Sequence, residues 1–234
     1  AAVANRVNRV MAEAPRTPAA IRDRAAAAAE SALDADDGAA ARAADRCGAS
    51  VVTLSRSGTV RTALERARPA VLIGESRPAR EGVDTAAGLA EAGLDVTLTT
   101  DAALAAELAA REPDAVLVGA DTVLADGSVV NKVGTRGLAL AAAREDVPVY
   151  AVAAADKVRP DTTVHGETGE AADLYDGAAP VSVANPIFDR TPADLVAGVV
   201  TERGVLDADG VRAVAADHRR SEEHTSELQS HAPI

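Results

Sequence analysis

Short runs of β-branched and aliphatic residues alternate along the chain with longer Ala-rich stretches whose apolar positions recur at helical spacing. The runs are ASVVTLS (49–55), AVLIG (70–74), DVTLT (95–99), AVLVGA (115–120), VPVYAVA (147–153) and PVSVA (180–184). Each is nearly continuous in apolar residues, as strands buried on both faces are. Separated by helices of about 10–15 residues, they predict an α/β fold with a parallel sheet covered on both sides. The first 47 residues hold no such run. Val3, Val7 and Val10 recur at helical spacing and predict a helix from Ala2 to Glu13. Thr17 and Pro18 read as the N-cap and first turn of a second helix reaching Leu33, and a third runs from about Asp36 to Arg46. Gly93 reads as a helix C-cap, and Thr100 or Asp101 opens the helix that follows.

Composition narrows the classes. A chain of 234 residues with 47% hydrophobic side chains can bury a sizeable core, which excludes a disordered polypeptide. Aromatic residues make up 1%, too few for base-stacking platforms, and a net charge of -12 repels phosphate backbones, so no direct nucleic-acid partner is expected. An anionic ligand has to find a local basic pocket. No apolar stretch is long enough for a membrane span and no signal pattern opens the chain, so the reading is a soluble cytoplasmic protein with no membrane partner. Cys47 is the single cysteine, which excludes an internal disulfide. Lys132 and Lys157 are the two lysines among many arginines, and both fall just beyond apolar runs. At the ends, the chain opens inside a helical pattern without an initiator Met, so part of a helical N-terminal region is expected to be missing. From Arg220 the stretch RSEEHTSELQS resembles a translated sequencing adapter, and residues 219–234 are expected to form a disordered, artefactual tail.

In parallel α/β sheets ligands bind beyond the carboxyl ends of strands near the switch point, so the residues just after each run carry the candidate chemistry. In VVTLSRSGTV (51–60) a strand breaks into Ser55, Arg56, Ser57, Gly58 and Thr59 before a helix starts. Such a helix N-terminus offers free N–H groups to a phosphate; the alternative is that Ser57 or Thr59 merely caps the helix. In VLIGESRP (71–78) Arg77 is placed to grip a phosphate bidentately, or else to pair with Glu75. In VLVGAD (116–121) Asp121 sits at a strand tip after a close-packing glycine, as a general base, a partner for sugar hydroxyls, or a cap. In GSVVNKVGT (127–135) Asn131 and Lys132 precede Gly134 and another helix N-terminus, a strong anion-site combination. His165, His218, His224 and His231 lack metal-ligand spacing, and no metal or cofactor is implied.

ESRP, VTLTTDAA and GADTVLADGSVVNKVGT together resemble the initiation factor 2B alpha/beta/delta family. That family joins regulatory subunits of a translation-factor exchange complex to isomerases of methylthioribose 1-phosphate and ribose 1,5-bisphosphate. The composition is similar to archaeal, particularly halophilic, members. The resemblance implies a helical N-terminal region (1–47) and a Rossmann-like domain (48–218), with a homodimer or higher homo-oligomer and a possible translation-factor partner. In the isomerases an aspartate and a cysteine flank the sugar. Asp121 matches the aspartate, whereas Ser55 stands where the isomerases carry the cysteine. Arg77, Asn131 and Lys132 match positions that hold phosphate and sugar oxygens, with Ser57, Gly58 and Thr59 beside them. An alcohol is far less acidic than a thiol, and serine needs a base that no histidine of the motifs supplies. Cys47, eight residues upstream, cannot substitute. The leading reading is therefore a binding or regulatory subunit with a sugar-phosphate or nucleotide-phosphate pocket, and the alternative is an aldose–ketose isomerase.

Overall fold

The computed structural model describes residues 2–12, 17–164 and 166–230. His165 and His231, among the histidines weighed above, lie outside the described residues. Helix α1 (Ala2–Ala12) is followed by α2 (Pro18–Ala44), one continuous helix where the sequence pattern predicts two. Thr17 caps it by accepting from the Ala20 N–H at 3.4 Å, and Pro18 occupies its first turn. Asp34 and Asp36, which look like a break in the sequence, simply lie along the uninterrupted helix.

The strands and helices then alternate: β1 (Ser50–Leu54), α3 (Gly58–Ala67), β2 (Ala70–Gly74), α4 (Glu81–Glu91), β3 (Val96–Thr99), α5 (Leu104–Arg111) and β4 (Ala115–Gly119). After β5 (Thr122–Val123) and β6 (Val129–Lys132) come α6 (Thr135–Arg144), β7 (Val149–Val152), β8 (Phe188–Thr191), β9 (Gly198–Thr201), β10 (Gly204–Leu206) and α7 (Ala208–Ser230). The main sheet has the order β10-β9-β7-β4-β1-β2-β3, parallel except for β10. Chain order reverses between β1 and β4, which makes their carboxyl ends the switch point.

Strand pleating explains the two-sided core. Val52, Leu54, Val116 and Val118 pack on one side with Leu104, Leu108, Leu138 and Val211, from α5, α6 and α7. Val51, Val71, Ile73 and Leu117 pack on the other with Ala39, Ala43, Val60, Leu64 and Leu89, from α2, α3 and α4. The helical lead-in thus shares the sheet's core, and its small Ala39 and Ala43 side chains let α2 lie close.

Five predicted strands form, and PVSVA (180–184) does not: it is irregular, and Val181 is largely exposed. Prolines at 180 and 186 bracket it and remove two ladder donors. Beyond β7 the sheet is instead extended by the short β9 and then β10, while β5, β6 and β8 make a separate antiparallel sheet. Beyond Arg220, where the sequence reading places disorder, α7 continues as helix through Ser230. No helix of the described residues is long and apolar enough to cross a membrane.

Candidate functional site

At the β1/β4 switch point lies a cleft of about 440 Å³, lined by Arg56, Ser57, Gly58 and Thr59 after β1, Gly119 to Asp121 after β4, Asn131 and Lys157, with Asp36 and Asp37 of α2 as its far wall. Asp37 is ion-paired with Arg66. Ser57 caps α3, accepting from the Val60 N–H at 3.3 Å, so both roles weighed for this residue meet: it is the cap, and it lines the cleft. The Gly58 and Thr59 N–H groups belong to the first turn of α3, where helices lack internal acceptors and favour anions. Gly119 permits this geometry, since a Cβ there would lie 2.8 Å from the Ser57 Cβ.

Asp121 opens onto the cleft, yet the surrounding protein strips enough water from its carboxyl to raise it above the ordinary carboxylate value. Glu167 and Glu81 push the same way, while the ammonium groups of Lys157 and Lys132 oppose them. With Asp121 ionised, the buried Asn131 amide is satisfied by giving N–H bonds to Gly119 O at 3.2 Å and Asp121 Oδ2 at 3.3 Å. Lys157, one of the two lysines of the sequence, is half-buried and donates from Nζ to Ala120 O at 2.6 Å.

Ser55 follows β1 with φ of 63°, a left-handed conformation that costs a non-glycine residue about 1–2 kcal/mol. The strained backbone turns its hydroxyl to Glu81, donating to Oε2 at 3.2 Å, and Lys132 Nζ reaches the same oxygen at 2.8 Å. Thr85 secures the turn by donating to Ser55 O at 3.0 Å. Glu81 opens α4, and sequence reasoning passed over it, because a glutamate in a first helical turn is ordinary dipole compensation. Its neighbour Gly82 makes the approach possible: a Cβ there would stand 1.9 Å from Gly74 O, so only glycine lets α4 begin so close to β2.

Three expected phosphate contacts are otherwise engaged: Lys132, ion-paired with Glu81, lines no part of the cleft, and neither does Ser55. The α6 N-terminus beyond Asn131 and Lys132 is filled by Asp189 of β8, which accepts from the Gly134 N–H at 2.8 Å and the Arg136 N–H at 3.2 Å. Burial holds that carboxyl above its ordinary value despite these donors. Arg77 is not among the residues lining the cleft: its guanidinium donates to Pro78 O at 3.3 Å and Asp173 O at 3.2 Å. Glu75 pairs with Arg80 instead, at 3.3 Å. Asp101, expected to open a helix, accepts from the Ser76 and Arg77 N–H groups at 2.7 and 2.6 Å and so fixes the ESRP loop. Cys47 is buried, with its thiol pushed up to about 11 by desolvation and by Asp45, and supplies no nucleophile. Among the described residues no group of His, Cys, Asp and Glu is placed to hold a metal ion.

Doubly wound topology, with an acid beside a helix N-terminus at the switch point, defines an α/β protein with a cleft at the carboxyl ends of its central strands. The chain belongs to the Initiation factor 2 subunit family, which residues 1–208 match. It is 44% identical over 161 residues to a probable bifunctional methylthioribose-1-phosphate isomerase/methylthioribulose-1-phosphate dehydratase of Nocardia farcinica, an overlap of 64% of this chain and 29% of that protein. It is 42% identical over 142 residues to a ribose 1,5-bisphosphate isomerase of Haloferax volcanii, covering 57% of this chain and 43% of that one. The chain thus spans less than half the length of either relative. Among solved structures, the translation initiation factor eIF-2B of Pyrococcus horikoshii OT3 superposes with a TM-score of 0.70 at 31% identity, covering 80% of this chain and 69% of that one.

Proposed function

We propose that this chain carries the catalytic cleft of an aldose–ketose isomerase acting on a pentose phosphorylated at its anomeric carbon, such as ribose 1,5-bisphosphate or methylthioribose 1-phosphate. The observation that carries the reading is Asp121, a partly desolvated carboxyl that faces the cleft beside the α3 N-terminus and accepts from Asn131. Ser55, less acidic than the isomerases' thiol, carries no proton step in this reading; its hydroxyl donates to Glu81 Oε2, which Lys132 also holds. The names of both curated relatives point the same way.

The chemistry follows from the substrate. Conversion of a cyclic aldose 1-phosphate to a ketose breaks the C1–O4 bond with its electron pair leaving on O4, moves a hydride, the C2 hydrogen with its bonding pair, to the electron-deficient C1, and turns the C2 hydroxyl into a carbonyl. O4 gains a proton and the C2 hydroxyl loses one, so a single group that gives and then takes a proton balances the reaction. Asp121, held above its ordinary value and facing the cleft, suits that part. In this reading the N–H groups of Gly58 and Thr59, with Lys157, receive a phosphate and Asn131 orients Asp121, while Ser55, Glu81 and Lys132 hold the turn after β1 through their mutual bonds. A homodimer or higher homo-oligomer is part of the proposal.

The test is turnover of the two sugar phosphates by the chain and by Asp121→Asn. Loss of about 10²–10⁴-fold on that substitution is expected from removal of a general acid–base. A binding or regulatory subunit remains the second reading, because Ser55 replaces the isomerases' thiol. Tight binding of either sugar phosphate without turnover, together with turnover gained in Ser55→Cys, establishes that reading and overturns the first.

A further inference from the structure

Lys157 sits in the turn Ala155–Lys157 after β7, and helix α1 holds that turn from about 150 positions earlier in the chain. Asn5 is buried, 4% exposed, and its Nδ2 donates to Asp156 O and to Val158 O, each at 2.8 Å. These are the carbonyls on either side of Lys157, so the two amide hydrogens of one side chain bracket it. Arg6 adds an ion pair to the Asp156 carboxylate at 2.8 Å. From the opposite flank Glu202 accepts from the Ala155 N–H at 2.9 Å. His218 of α7 lies 2.9 Å by Nδ1 from Val158 O, within reach as that carbonyl's second donor, and also contacts Asn5 at 3.1 Å.

A turn this short has few bonds of its own: Lys157 N–H to Ala154 O and Val158 N–H to Ala155 O, both 2.9 Å. Asn5 has no acidic or basic chemistry, lines no part of the cleft, and is buried. A buried amide costs free energy unless all its donors are met, and here both are met by the backbone that aims one lysine at the cleft. We propose that Asn5, with Arg6, is a positioning residue for Lys157: α1 fixes the turn so that the ammonium stays on Ala120 O, next to Asp121. The proposal rests on Asp121 as the acid of the cleft, but its readout is a titration that needs no turnover.

Desolvation raises the Asp121 carboxyl, and of the two ammonium groups that lower it Lys157 acts more strongly than Lys132, against Glu167 and Glu81. Releasing the turn lets the ammonium move away and the Asp121 midpoint rise. The experiment is carboxyl NMR titration of Asp121 in the whole chain, in wild type, Asn5→Ala, Lys157→Gln and the double variant, with thermal melts reporting folding. The expected result is an upward shift of the midpoint in Asn5→Ala and in Lys157→Gln, with no further shift when the two are combined. An unchanged midpoint in folded Asn5→Ala, or an equal shift from Asn5→Ala in the Lys157→Gln background, overturns the proposal. Arg6→Gln, at a half-exposed position, carries the same cycle if Asn5→Ala does not fold. Failure of turnover with the cycle intact overturns the isomerase reading alone.

Discussion

At the scale of single residues, the cleft is a place where proton affinity has been moved and stability given up. Asp121 lies above its ordinary value, so the folded chain holds that proton more tightly than the unfolded chain does. Below the ordinary carboxylate range both states are protonated and the group contributes nothing. As pH rises through the raised value, ionisation in the desolvated cleft lowers stability. Asp121→Asn should therefore leave the urea midpoint unchanged at about pH 4 or below and raise it at about pH 7; a fall at neutral pH would mean that Lys157 and Lys132 outweigh desolvation. The place of Asp121 beyond a strand end was legible in the sequence because it directly follows an apolar run and its glycine, although the run alone left a cap as an equal alternative. Glu81 was not, since nothing in linear order ties it to Ser55, 26 positions away. The link is made by two backbone peculiarities, a left-handed serine and a glycine that admits close approach, and neither has a sequence pattern.

Among elements, the start of α4 is the tightest junction. Gly82 lies against the Gly74 carbonyl, and a Cβ at 1.9 Å has no room because backbone, not a flexible side chain, stands in the way. Gly82→Ala should lower stability by about 1–3 kcal/mol, the usual range for overpacking, and withdraw Glu81 from Ser55. A denaturant titration measures the first effect and loss of activity the second. Buried parallel strands were readable as unbroken apolar runs, since both faces of β1, β2 and β4 meet helices. The small sheet and the β9–β10 hairpin were not: two to four residues give too short a run to show a period. For α6, sequence showed a helix N-terminus suited to an anion, but not that Asp189 fills it from β8, 55 positions on.

For the molecule as a whole, a net charge of -12 makes diffuse anion binding unfavourable, so affinity for a sugar phosphate has to be local. At 100 times its dissociation constant, ribose 1,5-bisphosphate should stabilise the fold by about 2.7 kcal/mol. Thermal melts of wild type and Lys157→Ala check this: the shift should shrink in the variant, and equal shifts would place the phosphate elsewhere. The tie between α1 and the turn after β7 bears on how the protein is made. Asn5 is translated well before its acceptors at Asp156 and Val158, which follow 151 and 153 residues later. At synthesis rates of about 5–20 residues per second, α1 waits about 8–30 s for them. The residues that steady the cleft's lysine are thus made long before they can find their place, and a nascent chain stalled before β7 carries Asp121 with Lys132 but without Lys157, the stronger of the two charges that temper it.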